Sequence, residues 1–393
     1  MKLFRVLMVH NYYQHPGGED TVFSAEKELL SGRGHEVMVL SDTNLRLNQI
    51  SNFRVAKNAV WSNETINKIE RLIDNNHPDI AHVHNTWMML SPSIYYAFQK
   101  ANIPVVQTLH NYRLLCPNAL LFRKNKVCED CMRFPIPIPG ILHKCYRGSI
   151  AQSALMTAML TYHRVIHTWR NQINCYIALS DFSRNKFIQG GLQSDKLFVK
   201  PNFIEYSTQN HDLDRKYAFF SGRLSIEKGV RIFADAWRSH VPSNIQLRIA
   251  GEGPEHGLVN QLVSQKDNVR YLGFLNKESL TETFWHSKFV IIPSVCYESF
   301  PITILEAFVT CTPVIASRIG ALAELIRDGE TGLLFNPGDP VDLAEKVDWL
   351  WNHPEESARM GRNARKEYEA KYTPERNYQM LMEIYEMAMT GRK

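Results

Sequence analysis

Twelve short apolar runs, rich in Val, Ile, Leu and Phe, recur along this chain with amphipathic stretches between them, and no other feature limits the fold so tightly. The first six are Phe4–Val9, Val37–Leu40, Ile80–Val83, Val105–Leu109, Tyr176–Leu179 and Leu197–Val199. The second six are Tyr217–Phe220, Ile245–Ala250, Val269–Leu272, Phe289–Ile292, Val314–Ala316 and Gly332–Phe335. Strands that alternate with helices imply parallel sheets covered on both faces. Two successive sets predict two doubly wound α/β domains. A length of 393 residues agrees with two domains. Ligands of such folds sit at the carboxyl ends of the strands, so two facing domains would make an interdomain cleft. The boundary is placed in the polar stretch Pro201–Arg215. Domains of 1–200 and 201–374 are therefore expected. Thr373-Pro374 then starts a last helix, whose Tyr378, Leu381, Met382 and Tyr385 form one apolar stripe.

No run approaches the ~18 apolar residues that a spanning helix needs. The N-terminus enters an apolar strand containing Arg5 and shows no small-residue cleavage site, which argues against a secretory signal. A cytoplasmic protein is expected, with its seven cysteines reduced or metal-bound. The charge is uneven: residues 1–200 hold 23 Lys+Arg against 14 Asp+Glu, and 113–147 hold seven against two. Such an excess suggests an anionic partner, with a solvated surface as the alternative. A nucleic-acid binder is disfavoured, since neither zinc-finger histidine spacing nor an RNA-binding aromatic signature is present.

Three segments carry chemistry. Gly17 and Gly18 lie between the first strand and a helical pattern of Val22, Phe23, Ala25, Glu26, Leu29 and Leu30. Glycines there let backbone N–H groups approach a phosphate, although Gly-Gly also simply makes turns. The second domain opens with Ser221-Gly222-Arg223-Leu224-Ser225-Ile226-Glu227-Lys228-Gly229. Arg223 and Lys228 supply the two cations that a diphosphate needs where no metal neutralises it. The third segment runs from Ser294 through Glu298, Phe300, Pro301 and Ile302 to Glu306 and Ala307. Glu306 falls on an otherwise apolar helix face, a costly place for a carboxylate unless something pairs with it.

These residues, with His110, Gly251-Glu252-Gly253-Pro254 and the spacing Glu298-(x)7-Glu306, resemble the motifs of the large retaining group of GT-B glycosyltransferases (group 1 type) in order and spacing along nearly the whole chain. The resemblance implies two Rossmann-like domains, a C-terminal helix (375–393) crossing back to the first, and a reaction without a catalytic cofactor. It implies that Arg223 and Lys228 hold the diphosphate with Gly17 and Gly18 closing on it. Glu306 would bind the ribose and Glu298 the transferred sugar. The backbone of Phe300, Pro301 and Ile302 would bind sugar hydroxyls and phosphate. The base would lie near Gly251 and Leu272-Gly273-Phe274, and His110 beside the reacting sugar. The implied activity moves a hexose-type sugar from a nucleotide diphosphate to a saccharide or lipid-linked acceptor, with retention, in bacterial surface polysaccharide synthesis. Asp20 stands where relatives often carry Glu. A nucleotide-sugar epimerase and a non-catalytic sugar-nucleotide-binding module are the alternatives.

Cys116, Cys128, Cys131 and Cys145 are spaced C-x11-C-x2-C-x13-C. That pattern fits a structural zinc site, with free thiols as the alternative. Their loop contains Pro135, Pro137 and Pro139, is read as too Pro-rich for helix or sheet, and would need such a staple. Its apolar tip Ile136–Leu142 and basic flanks suggest peripheral contact with an anionic membrane at its inner face; packing of the tip on the protein is the alternative. Ala154, Leu155, Ala158, Met159, Tyr162, Val165, Ile166 and Trp169 keep helical spacing, and core packing is expected of them rather than a membrane face.

Overall fold

The computed structural model describes residues 2–14, 17–205 and 214–391. Most of the expected linker, residues 206–213, lies outside them. The chain forms two compact units. One comprises Met1–Leu121, Glu129–Asn202 and Pro374–Lys393; the other comprises Phe122–Cys128 and Phe203–Thr373.

Each unit contains one six-stranded parallel sheet. The strands of the first are β1 (Arg5–Tyr12), β2 (Glu36–Thr43), β3 (Ile80–Val83) and β4 (Val105–Leu109). After a small antiparallel hairpin of β5 (Phe122–Arg123) and β6 (Lys126–Val127), which groups with the second unit, the first sheet continues with β7 (Cys175–Ala178) and β8 (Leu197–Val199). Its order is β2-β1-β3-β4-β7-β8. The second sheet uses β9 (Tyr217–Ser221), β10 (Leu247–Ala250), β11 (Val269–Gly273), β12 (Ser287–Ile292), β13 (Val314–Ser317) and β14 (Gly332–Phe335). Its order is β11-β10-β9-β12-β13-β14. All twelve expected runs thus become strands. Val6, Leu7, Met8 and Val9 of β1 are all fully buried, as a sheet covered on both faces requires.

In the second unit the helix Val230–Ser239 turns Val230, Phe233, Ala234 and Trp237 inward, an i, i+3, i+4, i+7 stripe packed with Phe220 and Ile249 of the sheet. In the first, the C-terminal helix Pro374–Thr390 buries Tyr378, Leu381, Met382 and Tyr385. Its Tyr378 hydroxyl is 2.8 Å from His35 Nε2.

Two expectations fail. The Pro-rich segment does form a helix, Ile138–Leu142, because Pro139 falls in its first turn, where its missing N–H costs nothing. On the helix Ile150–Val165 only part of the expected stripe faces the core: Met159 is buried, as is Trp169 beyond the helix, but Ala158, Tyr162 and Val165 are exposed. Ser153, Met156, Thr157, Leu160 and His163 are buried beside Met159. Their polar groups can go inside because each is matched. Ser153 Oγ accepts from the Tyr146 N–H at 2.9 Å, Thr157 Oγ1 donates to the Pro137 carbonyl at 3.4 Å, and His163 bonds Thr168 and the Val60 carbonyl.

Candidate functional site

A doubly wound sheet binds ligands where its strand order reverses. In the second unit that point lies between β9 and β12. The loop after β9 carries Arg223 and Lys228, and the loop after β12 carries Ser294 and Glu298. Lys228 Nζ donates to Glu298 Oε1 at 2.7 Å, and Ser294 Oγ donates to the same oxygen at 2.7 Å. The Val295 N–H bonds the Glu227 carbonyl at 2.9 Å and ties the two loops together. Burial pulls the Lys228 ammonium down, but the charge and hydrogen bond of Glu298, together with Cys296 and Glu227, outweigh it and leave the pKa raised, so Lys228 stays cationic.

Glycine makes this close approach feasible. Gly229 has φ +74°, and a Cβ there would sit 1.9 Å from the Pro293 carbonyl oxygen. Gly251, at φ +125°, would likewise bring a Cβ within 1.9 Å of the Gly222 carbonyl oxygen.

Arg223 is exposed and its guanidinium has no partner among the described residues. Glu306 sits half-buried on the helix Ile302–Val309 and has no side-chain partner among them either. Burial pushes its pKa up to about 7, with Lys277 offsetting only part of the effect. Phe300 is buried and packs edge-on to Tyr372. Pro301 caps the helix in extended geometry and Ile302 opens it; the Ile304 N–H bonds the Pro301 carbonyl at 3.2 Å, while those of Ile302 and Thr303 lack intrahelical acceptors. Leu272 lies in β11 and Phe274, just beyond it, is largely exposed.

The switch point of the first unit lies between β1 and β3. Gly17 is the N-cap of the helix Gly18–Gly32, extended at φ −142°, with open space where a Cβ would be. Asp20 holds this turn. Its Oδ2 accepts from the Gly17 N–H at 2.8 Å, and its Oδ1 is 2.7 Å from His10 Nε2. His110, directly after β4, does not stand alone. Its Nε2 is 2.9 Å from His84 Nδ1, and His84 Nε2 is 3.2 Å from Glu26 Oε2. Glu26 Oε1 accepts from the buried Lys200 ammonium, which also donates to Asn377 Oδ1 at 3.1 Å. Burial would raise the Glu26 pKa, but Lys200 and then His84 reverse that and hold it well below the carboxylate range. Burial lowers His84 to about 3 and His110 well below its usual value. A cavity beside this group is lined by His84, Trp87, His110, Asn111 and Arg113.

Sequence reasoning missed His10, His84, Glu26 and Lys200. Among the described residues Glu26, His82 and His84 are also the set of three whose donor atoms lie close enough to share a metal ion. Here Lys200 already supplies the cation, and His82 spends both ring nitrogens on Tyr385 and Thr108 hydroxyls, at 2.9 and 2.8 Å. The four clustered cysteines are not disulfide-bonded. Cys116 and Cys131 meet: a hydrogen bond from Cys131 lowers the Cys116 thiol to about 7, while Cys131 itself is pushed up.

Two parallel doubly wound units define the GT-B architecture, and solved structures of that kind match it over nearly their whole length. The Anabaena protein HepE in complex with UDP gives a TM-score of 0.67 at 17% identity, covering 96% of this chain and 98% of that one. Sucrose-phosphate synthase from Thermosynechococcus elongatus gives 0.72 at 16%, covering 99% and 100%. Residues 204–367 match the model of Glycosyl transferases group 1, and residues 16–207 that of Glycosyltransferase Family 4. O-antigen chain mannosyltransferase C of Escherichia coli is 31% identical over 277 residues, which cover 64% of this chain and 73% of that protein. The chain belongs to the group 1 glycosyltransferases. It spans about half the length of other curated relatives it matches, among them D-rhamnosyltransferase WbpZ of Pseudomonas aeruginosa, 30% identical over 210 residues covering 50% of this chain and 53% of that one.

Proposed function

We propose that this protein transfers a hexose-type sugar from a nucleotide diphosphate to a saccharide or lipid-linked saccharide, with retention, in surface polysaccharide synthesis. The observation that carries this is the Lys228–Glu298 pair at the switch point of the second sheet. The bond from the anomeric carbon to the β-phosphate oxygen breaks, and the acceptor oxygen bonds that carbon on the same face. The acceptor proton passes to the departing diphosphate. Lys228 and Arg223 stabilise the negative charge that grows there, a preorganised electrostatic contribution. Glu298 orients Lys228 and accepts from sugar hydroxyls. Glu306 accepts from the ribose, which relieves its lack of a partner. Gly17 and Gly18 close on the diphosphate, with the Gly18 N–H offered to it while the Gly17 N–H stays on Asp20, and His110 faces the donor sugar. UDP in the HepE structure supports a nucleotide ligand for this fold.

Incubation with labelled nucleotide sugars, with and without acceptor extract, tests this. Transfer only with acceptor, and an unchanged anomeric configuration by NMR, is expected. Product formed without acceptor would indicate an epimerase, and binding without product a non-catalytic module.

An anionic acceptor is supported by Arg113, whose Nε and Nη1 are buried without a partner. Contact with an anionic membrane face is supported by exposed Phe134, Ile136, Ile138, Leu142 and Val165, with exposed Arg133, Lys144 and Arg147 nearby in sequence. No helix among the described residues is long and apolar enough to cross a membrane. Sedimentation with anionic vesicles should show binding at low salt that fades by physiological salt; protein left in the supernatant at low salt would refute the contact. We propose further that Cys116, Cys128, Cys131 and Cys145 hold one structural zinc: Cys116 and Cys131 already meet, and since no three of the four sulfurs lie close enough to share an ion, binding would have to draw the others in. Metal analysis should find about one zinc per chain, lost in Cys128→Ser.

A further inference from the structure

We infer that Lys200, Glu26 and His84 form a buried chain of fixed polarity that holds His110 in its Nε2–H tautomer, so that His110 presents a bare Nδ1 acceptor to the donor sugar. The last clause rests on the proposed place of His110; the first does not.

The polarity follows from the groups in order. Lys200 has only donors to give, and its ammonium is buried against Glu26 Oε1. Glu26 is fully buried, and Lys200 keeps it ionised, so it can only accept. Its second oxygen stands 3.2 Å from His84 Nε2. The two atoms are not aligned as a good hydrogen bond, so the contact is largely electrostatic. An anionic oxygen at that distance still requires the N–H edge of the ring rather than a lone pair. His84 is neutral, so a proton on Nε2 leaves Nδ1 bare. His110 Nε2, 2.9 Å away, must then be the donor, and its own Nδ1 is left as an acceptor. The rings of His84 and His110 stack at 5.1 Å, which fixes the plane as well as the proton.

The neighbours do not compete for this polarity. His82 bonds two hydroxyls, which rotate to suit either tautomer. His10 is engaged by Asp20. The C-terminal helix takes part, since Asn377 accepts from Lys200 and its Nδ2 donates to the Pro201 carbonyl at 2.8 Å. Glu26, His84 and Lys200 are thus positioning residues that act through His110. A sugar hydroxyl facing Nδ1 would be held as a donor, and an imidazole kept neutral adds no charge beside the leaving diphosphate.

Nitrogen-15 NMR of histidine-labelled full-length protein reads the tautomer directly, through proton–nitrogen couplings assigned with His110→Ala and His84→Ala. The expected result is a protonated Nε2 and bare Nδ1 on His110 at neutral pH. Removing Glu26 alone would strand Lys200, so the test variant is the double Glu26→Gln/Lys200→Met, which removes both buried charges at similar volume. It should fold, mix the His110 tautomers, and lower kcat with UDP-glucose or GDP-mannose as donor on the order of 10-fold. In a His110→Ala background the double change should have no further effect on kcat. An Nδ1–H tautomer in the unmodified protein, or one unmoved by the double change, would overturn the chain. Kinetic effects that add to those of His110→Ala would overturn its action through His110. A tautomer that shifts with no change in kcat would leave the chain standing and remove His110 from the donor site.

Discussion

Glu26 and Glu306 pose the same local problem and receive opposite answers. Each is a carboxylate on an otherwise apolar helix face near the switch point of its sheet. Glu26 is completed from within: Lys200 neutralises it and its pKa falls well below the usual range. Glu306 has no side-chain partner among the described residues, and burial lifts it to about 7. A buried charge that the fold itself satisfies belongs to the architecture, whereas one left half-buried and unpartnered is a place for a ligand. The first unit therefore keeps its histidines in a preset arrangement, and the second leaves Glu306 unmatched by the protein, where the proposed donor would bind.

The contrast is broken most strongly by stability. Glu26→Leu strands the Lys200 ammonium and should cost about 3–5 kcal/mol in urea unfolding. Glu306→Leu should be neutral or stabilising in the absence of ligand, because it removes an unsatisfied group. Equal costs for the two would dissolve the distinction. In activity, Lys228→Ala should lower turnover on the order of 100-fold with the fold intact; turnover like that of the parent protein would exclude Lys228 from charge stabilisation. Gly229→Ala should destabilise by about 2 kcal/mol or more, since its φ is +74° and the new Cβ meets the Pro293 carbonyl.

A smaller effect sharpens the comparison through pH. In the free protein Glu306 titrates near 7, so below that it is protonated. Hydroxyl donors from a ribose favour the ionised form and lower its pKa in the complex. Nucleoside diphosphate affinity should therefore rise between about pH 6 and 8, by up to about 10-fold. Glu306→Gln should flatten that rise in a calorimetric titration; a slope that survives the substitution belongs to another group, such as the phosphate.

The twelve strands were legible because a β-branched run between helical patterns has few other places to go in an α/β chain. Their ends were less so: β1 runs on to Tyr12 and β2 to Thr43 because the two pair in register over their full length. Glu298, Lys228 and Glu306 were singled out from local motifs, each within a short stretch of sequence after a strand. The histidine chain was not, because its partners are far apart: 174 residues separate Lys200 from Glu26, and 303 separate His82 from Tyr385. Two signals were nonetheless present. His82 in β3 and His84 just beyond its end are spaced two apart, and Glu26 interrupts an apolar helix stripe just as Glu306 does. The helix Ile150–Val165 was read only in part for the converse reason, since hydrogen-bonded Ser153, Thr157 and His163 share the core face with Met156, Met159 and Leu160 and turn Ala158, Tyr162 and Val165 outward.

Thermal shift with UDP, GDP and ADP tests most directly the claim that the second unit is completed by a nucleotide. One diphosphate should raise the unfolding temperature of the unmodified protein by mass action. Lys228→Ala and Glu306→Ala should abolish that rise, while Glu26→Gln/Lys200→Met should keep it. A nucleotide that stabilises the Lys228 and Glu306 variants as well as the parent would contradict the account, because its binding would then owe nothing to the Lys228–Glu298 pair or to Glu306.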